Sequence, residues 1–151
     1  MFNKNKHCKD GLTFYCRDCI SEYGKKYRET PRGIYSNIVG RSNYNNKRGS
    51  KSYKPVKISY KEFLKWYEET PHICHYCGIN EDNLKPLQDL FDERVTRLEI
   101  DCKDNSMGYT KDNIVLACHL CNSIKIHLFS EEEMLYIGQN FIKPKWSVLN
   151  D

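Results

Sequence analysis

The sequence predicts an α+β fold: a small two-stranded sheet followed by a helix, stapled by four thiolates, behind a basic and mainly helical N-terminal arm. Three observations lead there. Cys74-x2-Cys77 and Cys118-x2-Cys121 have the spacing of a four-thiolate zinc site. Between the pairs, RVTRLEID alternates apolar and charged residues, and the apolar IVLAC follows after a turn, which is the pattern of two paired strands. Charge also divides the 151-residue chain: residues 1–61 hold 15 Lys/Arg against 4 Asp/Glu, and residues 62–151 hold 9 against 16. The boundary between arm (1–61) and body (62–151) is placed at that change.

Taken in order, residues 1–19 are expected to be irregular, with a turn at Asp10-Gly11 and Cys16/Cys19 closing the stretch. RDCISEYGKKYR gives a short basic helix. Thr30-Pro31 supplies an N-cap and first helical position for a second one, running to about Asn45 with Ile34, Ile38 and Val39 as a weak apolar stripe. The polar, turn-rich NNKRGSKSYKP reads as a linker. Val56 to Ser59 is a short strand, after which Ser59-x-x-Glu62 is a capping box opening a helix that Pro71 ends. The acidic stretch after Gly78 is loop-like. Residues 94–101 form a half-buried strand with Leu98 and Ile100 on one face and Arg97, Glu99 and Asp101 on the other. Its partner starts at Ile114, a helix follows to about His127, and Ser130-x-x-Glu133 caps a last helix that stops near Pro144.

No apolar run approaches the ~18 residues of a membrane span, and MFNKNKHCKD lacks the apolar core of a signal peptide, so an intracellular protein is expected. In a reducing compartment, eight cysteines with three C-x-x-C pairs point to metal rather than disulfides. Cys16 and Cys19 form half of a second zinc site. Its other half would have to come from His7 and Cys8, whose adjacency makes joint ligation awkward. His75 and His119 lie inside the other two pairs, and spacing leaves open whether they ligate. Glu99 and Asp101 share a strand face, and Asn122 follows Cys121. Carboxylate and amide oxygens are hard ligands, suited to Mg²⁺ or Mn²⁺.

LEIDCKDNSMGYTKDNIVLACHLCNSIK resembles the ββα-metal motif of HNH (His-Me finger) endonucleases, of the zinc-stapled type found in phage and mobile elements. The shared features are Asp101, Gly108-Tyr109, Asn113, Cys118-x2-Cys121, Asn122 and Lys125, with CHYCG as the upstream zinc pair. DGLTFYCRDCISEYGKKYRETPRGIYS is similar to the basic, zinc-ribbon-like start of many phage HNH proteins, although these have a further Cys pair upstream of the one matching Cys16/Cys19. The resemblance implies a metal-dependent DNA endonuclease leaving 5′-phosphate and 3′-hydroxyl ends. Zn²⁺ would be structural, and Mg²⁺ or Mn²⁺ would be held by Asp101 and Asn122. It further implies that Asn113 braces the inter-strand loop, that Lys125 lies near phosphate, and that Glu99 matches a Glu two positions before the metal ligand in some members.

One position departs from the motif. Where the family has a general-base His, this chain has Cys102, a poor base near neutral pH. Asp104 is the expected replacement, with His119 and His127 in reserve. The departure keeps alive a non-cleaving, zinc-containing DNA-binding protein as the alternative. DNA contact is expected from Lys25, Lys26, Arg28, Arg41, Lys47, Arg48, Arg97 and Lys125. The arm also interleaves Tyr15, Tyr23, Tyr27, Tyr35, Tyr44, Tyr53 and Tyr60 with its cations, side chains that can pack on sugars or bases.

Overall fold

The computed structural model describes residues 1–84 and 97–147. The chain opens not as an irregular segment but as a hairpin, β1 (Phe2–Lys4) antiparallel to β2 (Leu12–Cys16). The Asp10 carboxylate accepts from Leu12 N at 3.0 Å and Gly11 takes φ +70°, so the predicted turn residues become the hairpin tip. Helix α1 (Arg17–Glu29) follows directly and buries no residue. Helix α2 (Pro31–Lys47) starts where Thr30 Oγ1 accepts from Gly33 N at 3.1 Å, with Pro31 in the first turn. A Cβ at Gly33 would lie 1.9 Å from the Tyr27 carbonyl oxygen, so glycine is what allows the two helices to meet at this corner.

Helix α3 (Tyr60–Glu69) carries the predicted capping box in full, with Ser59 and Glu62 exchanging side-chain and backbone hydrogen bonds. Only Val56 of the expected 56–59 strand pairs, in a single parallel bridge to Tyr109, because Ser59 is already committed to the cap. A short 3-10 turn spans Glu81–Asn83; positions 85–96, including Arg94 to Thr96 of the predicted strand, lie outside the described residues.

The body is built on β3 (Glu99–Cys102) antiparallel to β4 (Ile114–Ala117), in the register Glu99↔Ala117, Ile100↔Leu116, Asp101↔Val115, Cys102↔Ile114. Helix α4 (His119–Lys125) packs back on β3 and ends at Ile126, which Asn105 Nδ2 holds by its carbonyl at 2.7 Å. Helix α5 (Glu131–Ile137) has a second complete capping box at Ser130. It does not stop near Pro144. A widened π turn at Gly138–Ile142 leads into α6 (Lys143–Ser147), and Pro144 sits at the start of that segment, where a missing N–H is tolerated.

Two apolar clusters hold the fold. Cys74, Tyr76, Leu84, Leu98, Leu116, Met134 and Trp146 surround the four-cysteine region. Ile34 and Ile38 of α2 join Ile58, Phe63 and Ile114 in the other, so α2 packs against the body. Tyr35 and Tyr60 of the arm's tyrosine series belong to this second cluster, their rings 5.4 Å apart, while Tyr15, Tyr23 and Tyr44 remain exposed. No helix among the described residues is long and apolar enough to cross a membrane.

Candidate functional site

Local backbone geometry prepares each half of the sulfur cluster. At Cys74, Gly78 N bonds the Cys74 carbonyl at 2.9 Å and Gly78 takes φ +77°, which closes a tight turn around Cys77. Cys118 is the N-cap of α4, its sulfur accepting from Cys121 N. The four sulfurs lie within 4.8 Å of one another, all buried, and Cys77 and Cys118 stand 3.8 Å apart. Tetrahedral zinc with bonds of about 2.3 Å needs sulfurs about 3.8 Å apart, so these residues fit a structural Zn²⁺. Trp146 Nε1 donates to Cys77 Sγ at 3.2 Å, fixing the cluster from outside. His75 and His119 stay out of it: they pair with Glu131 at 2.8 Å and Glu99 at 3.0 Å.

Beside this cluster, Asp101 is 2 % exposed. Its Oδ2 accepts from Tyr76 Oη at 2.8 Å and lies 3.2 Å from Lys125 Nζ; among the described residues its Oδ1 meets only Lys54 Nζ, at 3.8 Å. Lys125 is fully buried and also donates to the Cys102 carbonyl at 2.5 Å. Its expected place near phosphate is therefore corrected: the fourth residue of a helical turn beyond Cys121 points inward, and the ammonium is consumed by Asp101 and the strand end. Tyr76, inside the first cysteine pair, and Lys54, in the supposed linker, were missed because only the fold brings them to Asp101.

On the same strand face, Glu99 Oε2 accepts from Asn122 Nδ2 at 2.6 Å while Oε1 bonds His119 Nδ1. An amide that gives its NH2 to a carboxylate must turn its carbonyl oxygen the other way. That oxygen takes no hydrogen bond among the described residues. Asn113, 3 % exposed, bonds Asp104 N at 2.9 Å and the carbonyls of Asp104 and Gly108 at 2.7 Å each, so one amide ties the inter-strand loop at three points.

The remaining expected residues fall elsewhere. Cys102 is completely buried, and burial pushes its thiol up to about 11, which removes it as a proton acceptor or solvent-facing nucleophile. Asp104 is exposed and folds back on its own turn, Oδ1 accepting from both N and Oγ of Ser106 at 2.7 Å; those bonds hold its carboxyl below the usual range. Its geometry is that of a turn residue rather than of a base aimed at the cluster. His127 is exposed. Cys16 and Cys19 bring their sulfurs to 3.2 Å, yet among the described residues only the four body cysteines form a group of three or more metal-ligating side chains. Lys25, Lys26, Arg28, Arg41, Lys47 and Arg48 are exposed on and just after the two arm helices. Arg97 instead ties the body to the Arg28 carbonyl.

The antiparallel pair, the helix crossing it and the adjacent four-cysteine group make this an HNH-like fold. Among solved structures, the chain is similar to PacI, described as a rare-cutting HNH restriction endonuclease with an extraordinary mechanism of DNA perturbation; the TM-score is 0.61 at 26% identity, covering 98% of each chain. No protein-family model and no curated protein matches the sequence.

Proposed function

We propose that this protein is a metal-dependent DNA endonuclease of HNH type, hydrolysing phosphodiester bonds to 5′-phosphate and 3′-hydroxyl ends. The observation that carries the reading is a pair of oxygens on adjoining elements that take no hydrogen bond among the described residues: Asp101 Oδ1 on β3, which has Lys54 only at ion-pair distance, and the Asn122 side-chain carbonyl, whose NH2 is held by Glu99. Similarity to a DNA-cutting HNH enzyme over nearly the whole chain supports it.

Asp101 and Asn122 would hold Mg²⁺ or Mn²⁺, which when bound supplies Lewis-acid stabilisation of charge developing on the phosphoryl oxygens. The chain's own residues do the positioning. Tyr76 and Lys125 fix the Asp101 carboxylate through Oδ2, and Glu99 fixes the Asn122 amide, so both donors are set before substrate arrives. The exposed cations of α1 and α2 contact DNA phosphates, a term that weakens steeply with salt and carries no base information.

Plasmid nicking with Mg²⁺ or Mn²⁺ tests this. Wild type is expected to nick only with metal, and Asp101→Ala and Asn122→Ala to lose nicking by at least about 100-fold while retaining DNA binding. A second reading, a non-cleaving DNA-binding protein, is favoured by the burial of Cys102 at the position of the family's general base. Wild-type binding without metal-dependent nicking would establish that reading instead.

A further inference from the structure

Lys54 has no part in the proposed metal site, yet the fold anchors its backbone and that of its neighbours. Its carbonyl accepts from the buried Ser42 Oγ at 2.7 Å. The next residue, Pro55, accepts from Tyr109 N at 2.8 Å, and Lys57 N donates back to the Tyr109 carbonyl at 2.9 Å. Gly108 lies so close that a Cβ there would come within 2.4 Å of the Pro55 oxygen. With φ +71° as well, Gly108 is the residue that lets the linker dock on the inter-strand loop. The result places Lys54 Nζ 3.8 Å from Asp101 Oδ1 and 5.9 Å from the Tyr109 ring centre.

The two lysines around Asp101 do different things. Lys125 is sealed in and satisfies the carboxylate directly at 3.2 Å. Lys54 keeps 22% of its side chain exposed, its ammonium makes no hydrogen bond among the described residues, and it meets the carboxylate only at ion-pair distance. An ammonium whose three donors take no hydrogen bond among the described residues, anchored at its backbone and partly exposed beside Asp101, is arranged for an anionic oxygen that arrives with the substrate.

We infer that Lys54 is a substrate-contacting residue, its ammonium binding the scissile phosphate beside Asp101. The inference rests on the endonuclease reading and names which cation serves the reacting group, as distinct from the arm cations that serve the flanking phosphates. Lys54 then stabilises the charge that builds on the phosphoryl oxygens during in-line attack.

Lys54→Met keeps the aliphatic stem and removes the charge. Full-length wild type and variant are compared for single-turnover cleavage, duplex affinity without metal, and Mn²⁺ affinity by titration. Cleavage is expected to fall about 100-fold, duplex affinity to stay within about threefold, and Mn²⁺ to bind more tightly, by about three- to tenfold, because a like charge next to Asp101 is gone. Lys54→Arg should recover much of the rate. Cleavage by Lys54→Met at the wild-type rate overturns the inference and leaves the endonuclease reading standing. Cleavage and Mn²⁺ affinity falling together also overturns it, since that marks a brace for Asp101. A wild-type protein that binds duplex but never cleaves overturns the endonuclease reading, and the inference with it.

Discussion

Two C-x-x-C turns in this chain are nearly the same object locally and quite different globally. Cys16 and Cys118 each cap the start of a helix, and each sulfur accepts from the backbone N–H three residues on, at 3.3 Å and 3.5 Å. Around Cys118 and Cys121 a second turn, Cys74 to Gly78, arrives from another part of the chain, and the four sulfurs close into a buried cluster. Around Cys16 and Cys19 no such turn is met among the described residues, and the helix they open buries no side chain. A thiolate half-site is therefore a property of a few residues of backbone. A metal site is a property of the core that delivers the second half.

The largest expected effect follows from that difference. Structural zinc sites contribute folding free energy outright, often comparable with the ~5–15 kcal/mol net stability of a whole domain. Chelation of zinc, or Cys121→Ser, should unfold the 62–151 body, seen as lost near-ultraviolet dichroism and a collapsed melting temperature. Cys19→Ser should leave the melting temperature unchanged, because the exposed side chain leaves no packing to lose. Equal losses from the two serine variants would mean that the N-terminal pair is also part of a metal site, and the contrast would fail.

The lysines extend the comparison to charge. Lys26 on α1 pairs with Glu22 at 2.9 Å in full solvent, where an ion pair is screened; Lys26→Met should leave stability unmeasurably changed. Lys125 is enclosed with Asp101 and the Cys102 carbonyl, and its removal leaves a buried carboxylate short of its main partner. Lys125→Met should cost about 3 kcal/mol. Urea melts of the two variants at pH 7 test both expectations, and a Lys125→Met protein as stable as wild type would mean that the remaining contacts of Asp101 suffice.

What was legible beforehand divides along the same line. The caps at Thr30, Ser59 and Ser130 were readable because the residue and its partner sit three positions apart, and the chemistry is complete within one turn. The four clustered cysteines were readable because spacing encodes each half and hydrophobic strands imply the core between them. The N-terminal hairpin was not readable: β1 has three residues and no apolar alternation, and its pairing is visible only in the fold. Asp101 and Asn122 were singled out as candidate metal ligands through resemblance. The side chains that surround Asp101, namely Tyr76, Lys54 and Lys125, were missed or misplaced, because no local pattern tells a buried ammonium from a solvated one. Cys102 was identified as a departure, but its complete enclosure depends on packing across the strand pair.

The smallest effect concerns reactivity rather than stability, and separates the cysteines that the fold uses from those it leaves outside. Hydrogen bonds from the Cys19 backbone and side chain lower the Cys16 thiol from its ordinary value, while that same contact raises Cys19. Cys102, pushed up to about 11 by burial, stays protonated and shielded. With zinc bound, iodoacetamide near neutral pH should therefore label Cys16 first and Cys102 only on unfolding. The pH dependence carries the sign: a group with a lowered pKa keeps its thiolate as pH falls. Cys16 labelling should hold up between pH 8 and 6.5 better than that of an unperturbed thiol, whose reactive form declines about tenfold per unit over this range. Peptide mapping of the labelled protein reads each site separately. Labelling of native Cys102 at the rate of Cys16 would mean that the β3 strand end opens to solvent, and with it the enclosure of Asp101 on which the site depends.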